Sequence, residues 1–324
     1  MENNKKSLGA FLSEYAAYIA LVVLAVVLCA VSPEFRTASN FLNLMRQATF
    51  NGLIAFGMTC VILSDGIDLS VGSTFALSAI ICAEMIVNGI SAPLAILAAL
   101  VVGTLLGVVS GVLVTKGRLQ PFIATLITMT AYRGFAMIIT DGKPISKLKA
   151  SIESEFGAKL FEMLGKGSIP LGPINFPVPV IIMLVALAIF WFVLHKTTFG
   201  RKLYATGSNI KCANLVGVDT TKTKIIVYAI SGFMAALAGL IMISRVDSAQ
   251  SILGEGYELD AIAAVALGGT SMSGGRGKIM GTFAGVLIIA VLNNGMNIMG
   301  INTYYQSVVK ALVILIAVLA DRKR

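Results

Sequence analysis

The residues that could take part in phosphate chemistry lie around Lys278, which directly follows Gly277. A phosphate-binding loop of the Walker type also needs a glycine at position 272 and a serine or threonine at position 279. The sequence has Met272 and Ile279 at these positions. We therefore expect no ATP-binding site on this chain.

The side chains that most often carry catalysis or bind metals are few and scattered. His195, the one histidine of the sequence, lies at the end of an apolar segment, where an amphipathic interfacial role is the simplest interpretation. The cysteines have neither disulfide nor metal-ligand spacing; they are Cys29, Cys60, Cys82 and Cys212. These patterns disfavour a membrane-embedded enzyme and predict a chain without catalytic residues, metal ligands or a bound cofactor.

Three charged side chains interrupt long apolar segments: Glu84, Arg133 and Lys310. Arg133 and Lys310 each stand about six positions from one end of their segment, which is ~9 Å along a helix. A charge at such a depth in a bilayer usually faces protein or water. We expect these residues, together with Gln306, to line or brace a vestibule. For the two bases the alternative is snorkelling to the membrane surface.

Further polar side chains could face the path of a polar solute or serve the structure alone. In the turn Ser64–Gly72, either Asp68 or Ser70 could cap the following helix, or the turn could present its polar groups to the path. Asn293 and Asn294 fall in one apolar segment, where they could line a corridor or bond neighbouring helices. Both interpretations stay open for each group.

The composition of the whole chain indicates which class of fold holds these residues in place. The chain has 324 residues, of which 57% are hydrophobic and 13% are charged, and its mean hydropathy is +0.88. A soluble domain carries about twice that share of charge. Glycine is abundant, at 32 residues, which suits closely packed membrane helices. The sequence predicts an all-α polytopic membrane protein and excludes a soluble enzyme, a disordered chain and a disulfide scaffold.

About ten apolar segments make up a single transmembrane domain over residues 1–324. A helix needs ~20 apolar residues to cross a bilayer, with ~17 as a lower limit. The candidate spans are Tyr15–Val31, Ala48–Leu63, Leu69–Val87, Ala92–Val114, Phe122–Ile139, Pro177–Leu194, Ile225–Ile243, Ile279–Met299 and Tyr304–Ala320. A tenth segment, Tyr257–Leu267, is too short to cross alone and runs into a glycine-rich stretch. This pattern predicts a broken or re-entrant segment enclosed by protein or beside a cavity.

The distribution of lysine and arginine predicts the orientation of these segments. With the N-terminus inside and ten passes, 15 of the 25 basic residues fall on the cytoplasmic side and 8 outside, while Arg133 and Lys310 lie within spans. Both termini are thus predicted to be cytoplasmic. This placement explains the formal charge of +9 without nucleic-acid binding. The largest extracytoplasmic loop is 141–176, and the largest cytoplasmic loop is 196–224.

The segment Gly200–Lys224 within the cytoplasmic loop is too polar to span a membrane. It could form a short helix across the cytoplasmic mouth of the bundle. The alternative is an ordinary basic loop held by anionic lipid headgroups. Composition alone does not decide between these two interpretations.

The segment Ala205–Val218 within this loop reads ATGSNIKCANLVGV. It resembles the cytoplasmic coupling motif of ABC-transporter permeases of the ribose type, within the branched-chain amino acid/ribose permease family. It departs from the commoner pattern at Cys212 and Val218, which replace Ala and Ile. Further similar stretches are Gly66–Ser73, Lys116–Leu126 and Gly256–Thr270. The resemblance runs from about residue 15 to the C-terminus.

The resemblance implies a non-catalytic pore subunit of an importer that carries a monosaccharide, ribose foremost, across the bacterial cytoplasmic membrane. Two copies would form the pore, a cytoplasmic ATPase would use ATP and Mg²⁺, and an extracytoplasmic sugar-binding protein would deliver the cargo. Gly207, Asn209, Ala213 and Gly217 would belong to a coupling helix that docks on the ATPase. The alternative is a secondary sugar carrier or facilitator, which works without ATP and needs no docking helix.

Overall fold

The computed structural model describes residues 8–171 and 174–321, and helices dominate this part of the chain. Its α-helices are α1 (Leu8–Val31), α2 (Ala38–Leu63), α3 (Val71–Val87), α4 (Ala92–Thr115), α5 (Pro121–Thr140), α6 (Glu155–Gly165), α7 (Val178–Lys196), α8 (Thr198–Ser208), α9 (Ile210–Leu215), α10 (Thr220–Val246), α11 (Tyr257–Leu267), α12 (Ile279–Ile298) and α13 (Thr303–Asp321). The strands β1 (Ile145–Ser146), β2 (Ser168–Leu171), β3 (Ile174–Pro177) and β4 (Ser248–Ala249) form two antiparallel pairs, β1–β4 and β2–β3. The predicted all-α architecture is confirmed.

Local sequence signals explain where many of the helices begin. Proline occupies the first turn of α4, α5 and α7, where its missing N–H breaks no helical hydrogen bond. Hydroxyl side chains cap other helices. Thr37 accepts a hydrogen bond from the Asn40 N–H at the start of α2, and Ser154 accepts one from the Gly157 N–H at the start of α6. The apolar runs therefore fold as separate helices with defined starts.

Helices α2 and α10 form the centre of the bundle. Every residue of α2 from 48 to 63 is buried. Helix α10 packs against α2, α3 and α4, and its contact with α4 uses glycine on both sides. A Cβ on Gly107 would lie 2.2 Å from the Tyr228 carbonyl oxygen, and a Cβ on Gly232 would lie 2.1 Å from the Gly103 carbonyl oxygen. Such close contacts between small residues stabilise helix pairs in lipid.

Apolar side chains cover much of the outside of the bundle. Val22 and Val26 on α1 are about 60% exposed, and Ile138 on α5 is 75% exposed. By length and composition, five of the described helices could cross a membrane, namely α4, α5, α7, α10 and α12. The ranges 15–31 and 71–87 form shorter apolar helices. The bundle is therefore that of a membrane protein, while the count of ten passes stays a prediction.

The predicted broken segment is present. Helix α11 occupies the predicted range, Tyr257–Leu267, and the backbone from 268 to 278 is irregular before α12 begins. Gly256, with a φ of 82°, precedes α11 and sets the turn into it. Helix α11 packs against α2, α12 and α13. Helix α11 is thus packed inside the bundle, whereas the irregular backbone lies at the end of the bundle, where Ser273, Arg276 and Lys278 are exposed.

The loops collect at two ends of the bundle. At one end, which we name the basic end, the Gly275 N–H donates to the Leu63 carbonyl at 3.0 Å and Lys224 Nζ donates to the Asp65 carbonyl at 3.1 Å. At the other end, which we name the outer end, the β1–β4 pair joins the loop after α5 to the segment after α10. The basic end comprises residues 64–70, 116–120, 197–219 and 268–278. The outer end comprises residues 32–37, 88–91, 141–171, 174–177 and 247–256. This grouping matches the predicted alternation of loops, while the side of the membrane that each end faces stays a prediction.

Candidate functional site

The segment that resembles a coupling motif folds into two short helices at the basic end. Thr197 Oγ1 accepts from the Gly200 N–H at 3.3 Å at the start of α8. Asn209 Oδ1 accepts from the Cys212 N–H at 3.0 Å at the start of α9. The sequence suggested one short helix within residues 200–224. The structure has two, because the backbone at Asn209 is extended (φ −162°) and its side chain caps the second helix.

The last turn of α8 rests directly on the backbone of two other elements. Gly207 is buried, and a Cβ there would lie 1.8 Å from the Leu63 carbonyl oxygen and 2.7 Å from the Gly275 nitrogen. The Tyr204 hydroxyl donates to the Gly277 carbonyl at 2.9 Å. We name this contact of α8 with the end of α2 and the irregular segment after α11 the α8 seat. Only glycine at position 207 allows so close an approach.

Helix α9 places its apolar residues in two different environments. Ala213 is buried, whereas Leu215 and Val216 are 86% and 78% exposed. Gly217, with a φ of 81°, then turns the chain toward α10. Adjacent apolar side chains that are exposed among polar and basic residues mark a surface that a protein partner could cover.

Asp68 is buried among hydroxyl groups between helices. Its Oδ1 accepts from the Ser70 N–H at 3.0 Å and from the Ser70 hydroxyl at 2.6 Å, and its Oδ2 accepts from the Ser231 hydroxyl at 2.8 Å. Ser70 Oγ also lies 3.4 Å from Ser110 Oγ, and Ser110 donates to Thr128 at 3.0 Å. The carboxylate therefore bonds the start of α3 to α10, and the hydroxyls continue to α4 and α5. Ser70, which directly precedes α3, makes no side-chain cap, whereas Asp68 accepts from the Ser70 N–H at the start of this helix.

Lys310 is paired inside the bundle. Its Nζ lies 3.0 Å from Asp260 Oδ2 on α11, and the two side chains are 27% and 8% exposed. Asn51 Nδ2 on α2 donates to the same oxygen at 3.5 Å. The structure thus favours the protein-facing interpretation of Lys310 over snorkelling. Sequence reasoning missed Asp260 and Asn51, although a carboxylate in the first turn of a short apolar helix was a signal for the former.

Arg133 also faces protein, whereas Glu84 lies apart from it. Arg133 Nη1 donates to the carbonyls of Ser251 and Leu253, the latter at 2.9 Å. Glu84 is half-buried near the end of α3, where its Oε2 accepts from Asn88 Nδ2 at 3.3 Å. Both residues belong to the outer half of the bundle, but the structure does not bring them together in one site.

The predicted amides connect helices. Asn294 and Asn40 bond each other twice, with Nδ2–Oδ1 distances of 2.8 and 2.9 Å. Gln306 Nε2 on α13 donates to Asn297 Oδ1 on α12 at 2.9 Å. These contacts favour the helix-bonding interpretation for Asn294, and they give Gln306 the bracing role of the two roles expected for it. Asn293 Oδ1 is buried without a hydrogen-bond partner in the described part of the chain, so Asn293 stays a candidate for the path.

The predicted residues therefore fall into three regions. The α8 seat and α9 lie at the basic end, Asp68 lies in the hydroxyl cluster between α3 and α10, and the charged and amide residues lie toward the outer end. Across residues 8–171 and 174–321, no group of three or more His, Cys, Asp or Glu side chains could hold a metal ion. The arrangement suits a conduit with a mechanical contact at one end.

Comparison with known proteins agrees with this geometry. Residues 40–318 match the family described as "Branched-chain amino acid transport system / permease component". The chain belongs to this permease family. The predicted resemblance to this family is thus confirmed, and the family is described as a component of transport systems.

Individual relatives match over nearly their whole length. The "Ribose import permease protein RbsC" of Bacillus subtilis is 50% identical over 307 residues, which cover 95% of this chain and 92% of the relative. The proteins of the same name from Haemophilus influenzae and Escherichia coli K12 are 48% and 46% identical and cover 99% and 97% of this chain, and 96% and 95% of the relatives. No solved structure matches the chain. With its long apolar helices, this permease is a multi-pass protein of the bacterial inner membrane.

Proposed function

We propose that this chain is the membrane-spanning subunit of an ATP-driven importer that carries D-ribose into the cytoplasm. Relatives that are named as ribose import permeases and match over almost the full chain support this proposal. The structural observation that carries it is the α8 seat, a backbone contact between an exposed helix and the membrane bundle. The sequence has no phosphate-binding loop, so a separate subunit has to hydrolyse the ATP. That subunit needs a contact through which it can move the membrane helices.

In this proposal, a cytoplasmic ATPase subunit docks on α8 and α9 and uses ATP and Mg²⁺, while this chain holds no cofactor. Leu215 at the end of α9 and Val216 directly after it are the centre of the contact. The predicted coupling residues give the docking element its shape. Asn209 caps α9, and the buried side of α9 carries Ala213. Gly217 turns the chain after α9, and Gly207 allows α8 to approach the bundle closely.

Closure of the ATPase subunits pushes α8 toward the bundle. The seat passes this displacement to the end of α2 and, through residues 268–278, to α11 and α12. Helix α11 also carries Asp260, which is paired with Lys310 on α13. A displacement that begins at the basic end therefore reaches the outer half of the bundle along α11, which is what alternating access of the sugar requires.

The proposed topology has ten passes, with both termini and the basic end in the cytoplasm. Two copies of the chain form the pore between them. Large apolar side chains exposed on α5 and α13, such as Ile138 and Tyr304, are available to the second copy and to lipid. An extracytoplasmic sugar-binding protein docks at the outer end and releases its cargo there. In this proposal Glu84, Arg133 and Asn293 line the path or its vestibule. Four further predicted residues brace the helices around it, namely Asp68, Asn294, Gln306 and Lys310.

Reconstitution tests the proposed function. Purified permease, ATPase and sugar-binding protein are placed in liposomes, with ATP in the lumen on the ATPase side and radiolabelled D-ribose outside. We expect accumulation against the gradient only when all three proteins and ATP are present. Accumulation that persists with permease alone would instead identify a secondary carrier. Competition by unlabelled hexoses shows whether the complex prefers ribose.

A further inference from the structure

A cavity of about 880 Å³ opens at the outer end between α5 and the segment that leads into α11. We name it the outer groove. Its polar lining consists of Thr130, Arg133, Gln250, Ser251, Glu255 and Glu258. Small-molecule sites commonly have volumes of ~300–1,000 Å³ and combine an apolar wall with a few convergent polar groups. The outer groove has this size and this mixture.

Arg133 is held in place by part of its hydrogen-bonding capacity. Its Nη1 donates to the Ser251 and Leu253 carbonyls, which ties α5 to the turn before α11. A guanidinium has five N–H donors, and within the described residues its Nε and Nη2 make no hydrogen bond. Arg133 is therefore fixed in the groove and still has donors to offer a ligand.

The carboxylates of the groove also keep open acceptors. Glu258 Oε1 accepts from the Gly256 N–H at 3.2 Å, while its Oε2 accepts from no donor in the described part of the protein. Gly72 on α3 leaves room for this side chain, because a Cβ there would lie 2.5 Å from Glu258 Oε2. Glu255 is exposed in the same groove. The two carboxylates in the groove thus have oxygens that can still accept hydrogen bonds from a ligand.

The charges of the groove do not neutralise each other by contact. Arg133 is close enough to Glu255 and Glu258 to interact with them electrostatically, but among residues 8–171 and 174–321 it forms no ion pair within 4.0 Å. The three groups together carry one net negative charge, which disfavours phosphate and carboxylate ligands. A neutral molecule with several neighbouring hydroxyls fits instead. Its hydroxyls can donate to the carboxylates and accept from the guanidinium.

We propose that the outer groove is a monosaccharide-binding site on the permease itself. Glu255 and Glu258 accept hydrogen bonds from sugar hydroxyls, Arg133 and Gln250 donate to sugar oxygens, and the methionines that line the groove contact the C–H face of the ring. This inference rests on the proposed function and specifies where the permease first holds the sugar. The site is open and uses few contacts, so it binds weakly and releases the sugar readily.

Saturation-transfer-difference NMR tests the site without the partner proteins. The full-length permease is purified into nanodiscs and mixed with millimolar D-ribose, with empty nanodiscs as the blank. We expect ribose signals with the native chain and a loss of about tenfold in affinity with Glu258→Gln, because one charge-assisted hydrogen bond is weakened. If Glu258→Gln does not fold, ribose binding by Glu255→Gln and by Gln250→Ala tests the same groove. Glu153→Gln, an exposed carboxamide substitution in the outer loop, is the matched control and should leave the signals unchanged.

The outcomes separate this inference from the proposed function. Absence of ribose signals above the blank, or signals that survive all three groove substitutions, overturns the groove as a sugar site even when the complete system imports ribose with ATP. Stronger binding of ribose 5-phosphate than of ribose also overturns it, because the net negative charge predicts the reverse order. If the native chain binds ribose here but the reconstituted system accumulates it without ATPase, the groove stands and the proposed energy source is wrong.

Discussion

Lys310 and Asp260 show how charged side chains are kept inside this bundle. Each would carry a large desolvation cost alone, and their direct contact at 3.0 Å, with Asn51 as a further donor, offsets that cost. Asp68 is kept differently, by hydroxyl groups and one backbone N–H in place of a cation. The consequence at the residue scale is that removing one partner of such a contact is more harmful than removing both.

Lys310→Ala tests this asymmetry. It leaves the Asp260 carboxylate buried without its cation, so we expect the free energy of unfolding to fall by about 2–3 kcal/mol. The double change Lys310→Ala with Asp260→Asn should recover part of this loss. Thermal unfolding midpoints in detergent, followed by loss of the monodisperse peak, measure both variants.

Lys143→Ala is the matched control. Lys143 also pairs with an aspartate, Asp141 at 2.8 Å, but both side chains are more than three-quarters exposed. We expect a change below about 1 kcal/mol, because solvent screens a surface pair. Equal losses for the two lysine variants would contradict a stabilising role for the buried pair.

From the sequence, Lys310 and Arg133 were expected to face protein or water, because a charge inside an apolar run is costly in lipid, with snorkelling as the alternative. The sequence did not predict their partners. Asp260 lies 50 residues away from Lys310, and the carbonyls that hold Arg133 lie 118 and 120 residues from it. Such pairings depend on how the helices pack, which hydrophobic patterning alone does not specify.

At the scale of elements, the α8 seat combines two short helices and two loops that are distant in sequence. The bounds of α11 were predicted correctly, because an apolar run ends there in a glycine-rich stretch. The division between α8 and α9 was not predicted, since it depends on the cap that Asn209 makes. The seat itself was also not predicted. Nothing local indicates that the backbone of Leu63 lies under Gly207.

Gly207→Ala tests the seat as the route of coupling. Its added Cβ would meet the Leu63 carbonyl oxygen at 1.8 Å, so α8 must shift away from the bundle. An overpacked contact costs about 1–3 kcal/mol, and we therefore expect ATP-driven sugar import to fall by about tenfold or more. The ATPase should still copurify and hydrolyse ATP. Transport and hydrolysis are measured in the same liposomes.

Thr198→Ala is the control for this variant. It changes an exposed position at the opposite end of α8, away from Gly207, and should retain import. If Gly207→Ala imports as well as the native chain while its ATPase remains bound, the seat does not transmit the displacement. Loss of ATPase binding in Gly207→Ala would instead show that the seat only shapes the docking surface.

At the scale of the whole molecule, the arrangement of loops at two ends makes the orientation testable with a residue already present. Cys212 is exposed on α9 at the basic end, whereas Cys60 and Cys82 are buried. The chain therefore has a natural site for thiol labelling beside its proposed docking surface.

A membrane-impermeant maleimide should label Cys212 in inverted membrane vesicles and leave it unlabelled in intact cells. Binding of the ATPase should protect it, because α9 becomes covered. Cys212→Ser identifies the labelled site. Lys159→Cys on α6, at the outer end, should show the opposite pattern. Labelling of Cys212 in intact cells would reverse the proposed topology.

The closest contacts of the α8 seat are between main-chain atoms, and this has a consequence for how such transporters diversify. Main-chain geometry is nearly the same whatever side chains α8 and α9 carry on their solvent side. Those outward side chains can change to fit a different ATPase subunit while the inward contact stays intact. Exchanging the outward residues between paralogous systems should therefore change which ATPase binds, without any change in the membrane bundle.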